Sequence, residues 1–334
     1  MSELAPIAIS MGEPAGIGPD LILKLYAERS EYELPPFIVV GSMAFLAARA
    51  RRLGLNINFA QTTPANAAGD FPVALPVLHV EGLVPDKPGE TSALSGKVVV
   101  ESISRAVSET LNGACRALVT APIHKAALYT AGFKYPGHTE YIAALCTTPN
   151  APAPLPVMML AHERLRVVPL TIHVPLREVA AMVTAKLIRE TVHVVEHDLR
   201  TRFGIEEPKL AITGLNPHAG ESGSIGTEDR DIILPAVIDL QHNGTRIDGP
   251  FAADSIFHLP NWRKYDAVIA MYHDQALIPI KTVAFEEAVN ITLGLPIVRT
   301  SPDHGTAFDL AGTGKGSVAS MLAALRLADR MTAA

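Results

Sequence analysis

The fold class follows from residues 6–19, PIAISMGEPAGIGP, in which a short apolar run is followed by a glycine-rich loop. The run Pro6–Met11 is typical of a buried strand, Gly12–Gly18 of a loop, and a helix is expected to begin at Pro19. Proline at the first helical position and Asp20 in the first turn favour that helix start. The segment therefore predicts a strand–loop–helix unit, whose loop either holds an anion or simply forms a tight turn.

Apolar runs and helical patterns alternate along the rest of the chain. Further strands are predicted at Phe37–Gly41, Ala117–Thr120, Val157–Leu160, Leu165–Ile172, Leu210–Thr213 and Ala267–Tyr272, and helices at Met43–Arg52, Thr91–Leu111, Ala185–Phe203 and Glu228–Gln241. This order indicates an α/β fold with a mostly parallel sheet covered by helices. The first glycine loop has neither the GxGxxG nor the Walker spacing, so a conventional Rossmann nucleotide site is not predicted.

Composition narrows the class of protein. The chain has 334 residues, 48% hydrophobic and 19% charged, with a net charge of −6, which suits two globular domains and argues against a nucleic-acid partner. No apolar stretch approaches the roughly 20 residues of a membrane span. Two cysteines without CxxC spacing, Cys115 and Cys146, and the lack of a signal-peptide pattern at Met1–Ser10 predict a cytoplasmic location. The best linker candidate is Pro149–Pro156.

Three of the twelve histidines lie just beyond predicted strands, namely His173, His218 and His273. Ligands of α/β folds collect at the carboxyl ends of strands, so these three side chains could converge. Three neutral imidazoles with an open fourth position form a catalytic site for zinc or a similar divalent ion. Asp254 and Asp274 could add oxygen ligands or orient the rings. No short metal-binding motif such as HExxH is present, so the spacing of the histidines alone does not decide whether a metal binds.

Two cations sit in largely apolar surroundings. Lys281 and Arg299 each need an anion, because a buried charge without a partner is costly. That anion is either a substrate group or a structural carboxylate. His138 and Thr139 offer a further pair of donors at a predicted helix start, and Asn290 lies between the two cations in sequence.

The segment 304–314, HGTAFDLAGTG, closely resembles the HGSAPDIAGKG stretch of isocitrate and isopropylmalate dehydrogenases. In that superfamily this loop binds the adenosine end of the dinucleotide, and its aspartate contacts the ribose. The resemblance implies cofactor contacts at His304, Gly305, Ala307 and Asp309. It favours NAD as the cofactor and leaves NADP open.

Seven segments together resemble the 4-hydroxythreonine-4-phosphate dehydrogenase family of pyridoxal phosphate biosynthesis, along essentially the whole chain. They are MGEPAGIGP, YPGHTEY, IHVPLREV, GLNPHAGESGSIGTED, AMYHDQ, VNITLGLP and RTSPDHGTAFDLAGTG. The implied fold has two α/β/α domains flanking a cleft, as in isocitrate and isopropylmalate dehydrogenases. The expected domains are 1–136 plus 286–334, with the nucleotide loop, and 137–285, with the metal ligands and a dimer interface.

The same resemblance implies roles for individual residues. It makes His173, His218 and His273 ligands of a divalent metal such as zinc, magnesium or cobalt. It implies a homodimer with shared active sites, in which the partner subunit's His173 completes the site. It also implies substrate contacts at His138, Thr139, Lys281, Asn290 and Arg299.

The implied activity is NAD(P)-dependent oxidation of 4-phosphooxy-L-threonine to a β-keto acid, which loses carbon dioxide to give 3-amino-2-oxopropyl phosphate. Lys281, Asp254 and Asp274 are the candidate catalytic residues, with Lys281 or an aspartate near the metal as proton acceptor. Alternatives are a sister dehydrogenase for threonate or erythronate 4-phosphate, a metal-dependent aldolase or hydrolase, and a non-catalytic binding protein of the same fold. Glu286-Glu287-Ala288 departs from the Gly-Arg-Gly of some family members, and two acids there would repel an anionic substrate unless they face solvent.

Overall fold

The computed structural model describes residues 4–147 and 153–333 and divides the chain into two compact units. The first comprises Met1–Pro156 and Leu295–Ala333, and the second Val157–Gly294. The first unit extends past the expected boundary at residue 136, because the helix His138–Leu145 packs on the helix Ala93–Leu111 of the same unit. Residues 149–152 of the predicted linker lie outside the described residues.

The first unit is built on six parallel strands. They are β1 (Ile7–Ser10), β2 (Phe37–Gly41), β3 (Phe59–Gln61), β4 (Leu75–His79), β5 (Ala117–Thr120) and β12 (Arg299–Pro302). Their order is β3-β4-β2-β1-β5-β12, and every pairing among them is parallel. Parallel neighbours end at the same edge of the sheet, so the loops that follow β1, β5 and β12 lie side by side.

Among its described residues, the first unit has seven helices. They are α1 (Gly18–Ala27), α2 (Met43–Arg52), α3 (Pro64–Asp70), α4 (Ala93–Leu111), α5 (Lys125–Thr130), α6 (His138–Leu145) and α13 (Ala319–Ala333). Strand β1 is buried along its whole length, as expected for a strand with helices on both faces. Helix α4 begins after a serine whose hydroxyl accepts the N–H of Leu94, a usual helix cap.

The second unit has a mixed sheet. Its strands are β6 (Val157–His162), β7 (Leu165–Pro169), β8 (Leu210–Thr213), β9 (Ile247–Phe251), β10 (Ala267–Ala270) and β11 (Val289–Leu293), in the order β11-β6-β7-β10-β8-β9. Strand β6 runs antiparallel to both β11 and β7, whereas the other pairings are parallel. The two residues between β6 and β7 allow only a hairpin, which explains this departure from a parallel sheet.

Six helices complete the second unit. They are α7 (Leu176–Met182), α8 (Ala185–Phe203), α9 (Leu234–His242), α10 (Ala253–Ile256), α11 (Leu259–Trp262) and α12 (His273–Ala284). The helix predicted at Glu228–Gln241 is instead a π-helical turn, Asp229–Ile233, followed by α9. Pro235 lacks the amide hydrogen that a continuous α-helical ladder needs there.

The α/β fold class is confirmed, and most predicted elements coincide with observed ones. None of the helices within the described residues has the length and apolarity that crossing a membrane requires. Both cysteines are buried.

Candidate functional site

The three singled-out histidines of the second unit follow three neighbouring parallel strands. His173 follows β7, His273 follows β10 and His218 follows β8, and the sheet order is β7-β10-β8. The three loops that carry these side chains therefore leave the same edge of the sheet in succession. This arrangement places the histidines where ligands of α/β folds bind.

His173 and His273 lie together, with ring centroids 5.7 Å apart and planes inclined by 42°. Two imidazoles on one zinc ion, each with a Zn–N bond of ~2 Å, place their centroids roughly 5 Å apart. Nδ1 of His273 is hydrogen-bonded to Oδ1 of Asp274 at 2.7 Å, which leaves Nε2 as the donor for a metal. These two donors and the carboxylate support therefore fit a divalent cation. In this pair His173 and His273 belong to the same chain, so the expected contribution of the partner subunit's His173 stays a prediction.

The single chain does not bring the third ligand into a closed cluster. Across residues 4–147 and 153–333, no three His, Cys, Asp or Glu side chains are close enough together to hold one metal ion. His218 is exposed in the loop after β8, and Asp254 is exposed on α10.

The first unit holds a deeply buried cation. Arg299 lies on β12 with 3% of its surface exposed, and its Nη2 donates to Oγ1 of Thr120 on β5 at 2.7 Å. Burial lowers the pKa of Arg299 to about 10, and the nearby Glu140 opposes this effect. A buried guanidinium that reaches the last residue of β5 lies beside the carboxyl end of that strand and is suited to binding an anion.

His138 and Thr139 are the first two residues of α6. Burial lowers the pKa of His138 well below 6.5, and the positive charges of Arg299 and Lys125 lower it further. The imidazole is therefore neutral at neutral pH, and its buried Nε2 has no hydrogen-bond partner within the described part of the chain. Lys125, at the start of α5, was not among the predicted site residues.

The predicted nucleotide loop is attached to the glycine-rich loop after β1. The N–H of Ile17 donates to the carbonyl of Thr306 at 2.8 Å. A Cβ on Gly16 would lie 2.8 Å from that same carbonyl, so only glycine permits this approach. His304, Gly305 and Asp309 are exposed, and Ala307 has a φ of 42°. These contacts fix the loop at Thr306, while the predicted contact residues His304, Gly305 and Asp309 remain exposed to solvent.

Arg49 supports both of these loops from inside the core. Its fully buried guanidinium donates to Asp20 at 2.6 Å, to Asp86 at 2.7 Å and to the carbonyl of Pro14 at 2.6 Å. The second oxygen of Asp20 accepts the N–H of Gly312 at 2.6 Å. Burial raises the pKa of Asp20, against the opposing effect of Arg49. One buried ion pair therefore joins both loops, which no local sequence motif indicates.

Two more polar residues beside these loops, one buried and one half-buried, escaped the sequence interpretation. Glu13 is 2% exposed, and burial raises the pKa of its carboxyl group. The ring of His124 lies edge-on to Phe308 of the nucleotide loop, with centroids 5.1 Å apart. Both residues lie in the segments that follow β1 and β5, and no motif in those segments distinguishes them.

The remaining predicted residues belong to the second unit. Lys281 lies on α12 with its ammonium 5.2 Å from the centre of the Phe285 ring, and Asn290 lies on β11. Glu286 and Glu287 are both exposed, and Glu287 pairs with Nε2 of His162 at 3.0 Å. These two acids therefore meet the condition under which they would not repel an anionic substrate.

Comparisons with known proteins bear on the family to which the chain belongs. Residues 33–328 match the family model described as pyridoxal phosphate biosynthetic protein PdxA. The 4-hydroxythreonine-4-phosphate dehydrogenase of Methylorubrum populi is 50% identical over 99% of this chain and 95% of its own length. That of Xanthobacter autotrophicus is 49% identical over 98% and 93%.

A crystal structure of 4-hydroxythreonine-4-phosphate dehydrogenase from Klebsiella pneumoniae superimposes with a TM-score of 0.87. The sequences are 38% identical, and the match covers 98% of each chain. Likeness of both sequence and fold over nearly the full length confirms the predicted family. The chain belongs to the PdxA family of pyridoxal phosphate biosynthetic proteins.

Proposed function

We propose that the chain is a metal-dependent, NAD(P)-linked dehydrogenase that oxidises 4-phosphooxy-L-threonine in pyridoxal 5'-phosphate biosynthesis. The β-keto acid formed would lose carbon dioxide to give 3-amino-2-oxopropyl phosphate. The observation that carries the proposal is the set of three histidines at the ends of adjacent strands β7, β10 and β8, in a member of this family.

His173, His218 and His273 would hold the divalent cation, with zinc, magnesium and cobalt as the candidates. When bound, the cation would polarise the substrate oxygen, and NAD(P) would accept the hydride. Asp274 would keep the ring of His273 in one orientation through its 2.7 Å bond to Nδ1. We assign Asp274 this supporting role, which leaves Lys281 and Asp254 as candidate proton acceptors.

Arg299, His138 and Thr139 would bind an anionic group of the substrate. A buried arginine beside a neutral imidazole offers a fixed charge and an uncharged donor, and such groups favour bound phosphate or carboxylate. Lys281 and Asn290 are proposed as further substrate contacts. The exposed backbone of the 304–314 loop, with Asp309, would bind NAD or NADP.

We also propose a homodimer in which a second copy contributes to the metal site. Its support is three apolar side chains that the single chain leaves uncovered, on elements that follow two of the proposed ligands. Leu176, shortly after His173, is 70% exposed, and Ile278 and Phe285, on and just after the helix that His273 begins, are 63% and 72% exposed. Burying such side chains against a second copy is favourable. A cytoplasmic location remains proposed from the cysteine pattern.

The direct test is NADH formation from 4-phosphooxy-L-threonine, measured at 340 nm with and without a chelator. We expect turnover that the chelator abolishes and that Zn²⁺, Mg²⁺ or Co²⁺ restores. Threonate and erythronate 4-phosphate, assayed in parallel, identify a sister activity if either is the better substrate. Turnover that persists in demetallated enzyme would refute the metal role.

A further inference from the structure

The loop that carries His218 has an unusual backbone. Five consecutive residues, His218 to Ser222, adopt left-handed conformations with φ between 43° and 75°. Four of the five are not glycine, and in this region their Cβ atoms approach the following carbonyl. Such a run persists only where surrounding structure enforces it. The question is therefore what holds the loop in place.

Asp229 is the group in contact with this loop from inside the unit. It is 2% exposed and lies at the start of the π-helical turn. Its carboxylate accepts the N–H of Leu215 at 2.7 Å, the N–H of Asn216 at 3.2 Å and Nδ2 of Asn216 at 2.8 Å. These three bonds fix the backbone immediately before His218.

The loop also encloses the Asp229 carboxylate sterically. A Cβ on Gly214 would lie 2.5 Å from Oδ1, and one on Gly220 would lie 3.1 Å from Oδ2. Gly214 precedes the left-handed run and Gly220 lies within it. The loop is thus closed around this carboxylate on both sides of His218.

We propose that Asp229 is a positioning residue that holds His218 in its ligating conformation and so sets the affinity of the site for a divalent cation. The proposal rests on the proposed function, in which His218 is a ligand. A ligand already fixed in place loses less conformational freedom when it binds, which favours binding. An asparagine at this position would direct an NH₂ group at the backbone donors, so the loop could relax toward an ordinary conformation.

Glu228 provides a matched control beside Asp229. Its Oε2 accepts Nδ2 of Asn216 at 2.8 Å, but it makes no recorded bond to the backbone before His218 within the described residues. It is also half-buried rather than buried. Glu228→Gln therefore removes a charge from the same place and leaves the anchor of the loop intact.

The experiment compares the full-length wild type with Asp229→Asn, Glu228→Gln and His218→Ala after removal of metal. Zn²⁺ affinity is measured by competition with a chromophoric chelator, and circular dichroism checks the metal-free fold. We expect Asp229→Asn to bind Zn²⁺ about 10- to 100-fold more weakly, the range for residues that support a ligand. Glu228→Gln should fall well short of that loss, because Glu228 bonds only the side chain of Asn216 and not the backbone before His218.

Measurements of turnover distinguish a positioning role of Asp229 from a general loss of folded structure. Asp229→Asn should recover most of its kcat at saturating metal, with an unchanged KM for NAD, whereas a misfolded unit would not. Wild-type Zn²⁺ affinity in Asp229→Asn, together with loss of Zn²⁺ binding in His218→Ala, would overturn the inference and leave the metal site standing. Wild-type affinity in His218→Ala would instead refute the proposed role of His218 itself.

Asn216→Ala carries the test if Asp229→Asn does not fold. It removes the side-chain bonds to Asp229 and Glu228 and keeps both backbone bonds to Asp229, so we expect a several-fold loss of Zn²⁺ affinity, whereas Glu228→Gln should leave the affinity nearly unchanged. Unchanged affinity in this variant would also contradict the inference.

Discussion

The glycine-rich and nucleotide loops of the first unit and the histidine-bearing loops of the second unit differ in which of their polar groups are buried. In the first unit, Arg49 and Asp20 are almost completely buried and hold two loops by charge. In the second unit, His173 and His218 are exposed, and what is buried is the carboxylate of Asp229 behind one of them. Both units place their polar loops at the carboxyl ends of parallel strands.

Because of this difference, substitutions in the two units should affect different quantities, namely the free energy of unfolding in the first unit and the metal affinity in the second. Removing one partner of a buried ion pair leaves an uncompensated charge, so the first unit should lose stability when its support is changed. Replacing an exposed ligand removes a contact with the cation and leaves the core intact. We therefore expect changes behind the nucleotide loop to unfold the protein and changes to the histidines to demetallate it.

The largest effect should follow Arg49→Met. The change leaves Asp20 buried without its cation, which we expect to cost about 3–5 kcal/mol of unfolding free energy. Chemical unfolding followed by circular dichroism measures it. Arg52→Met is the control, because Arg52 shares Asp86 with Arg49 but is 44% exposed. We expect Arg52→Met to lower the free energy of unfolding by at most about 1 kcal/mol. Equal losses in the two variants would show that the burial of the arginine does not determine its contribution to stability.

Lys125→Met should weaken substrate binding. Lys125 and Arg299 both act on His138, so loss of the lysine removes one of two charges facing the same group. A hydrogen bond to a charged group contributes roughly 1.5–3 kcal/mol, or about 10- to 100-fold in KM for the phosphorylated substrate. The KM for NAD should not change. The exposed Lys134 provides the control, and an equal effect of Lys134→Met would point to net charge alone.

The neutral state of His138 predicts a pH effect on the first unit. Because its pKa is lowered on folding from 6.5, the unfolded chain binds more protons at acid pH. Stability is therefore complete above pH 6.5 and falls as the pH drops below it, by at most about 1.4 kcal/mol per pH unit. His138→Gln should flatten this slope between pH 7 and 5. The same flattening in a variant of the exposed His242 would show that another group titrates.

The smallest effect is expected at Glu287. The side chain of Glu287, which pairs with His162, is 65% exposed, so Glu287→Gln should change the free energy of unfolding by less than about 1 kcal/mol. Because Glu287 faces solvent, the KM for 4-phosphooxy-L-threonine should stay within about twofold. A marked fall in KM would mean that this acid does repel the substrate and influences substrate choice.

The sequence alone determined the α/β class, the family and the boundaries of several of the elements that it predicted. Strand and helix patterns are local, because they depend on side-chain periodicity within one segment. The strands at Phe37–Gly41, Ala117–Thr120 and Leu210–Thr213 are therefore where the sequence predicts them. The three histidines could be singled out for the same reason, since each directly follows such a segment.

Strand order and buried charge were decided only by the tertiary structure. Nothing local to β7, β8 or β10 indicates that β10 lies between the other two, because pairing joins residues far apart in the chain. Arg49 and Asp229 look like ordinary surface residues of helical segments until the segments they support close around them. The sequence thus singled out candidate groups for a metal and a nucleotide, and long-range packing determined what holds those groups in place.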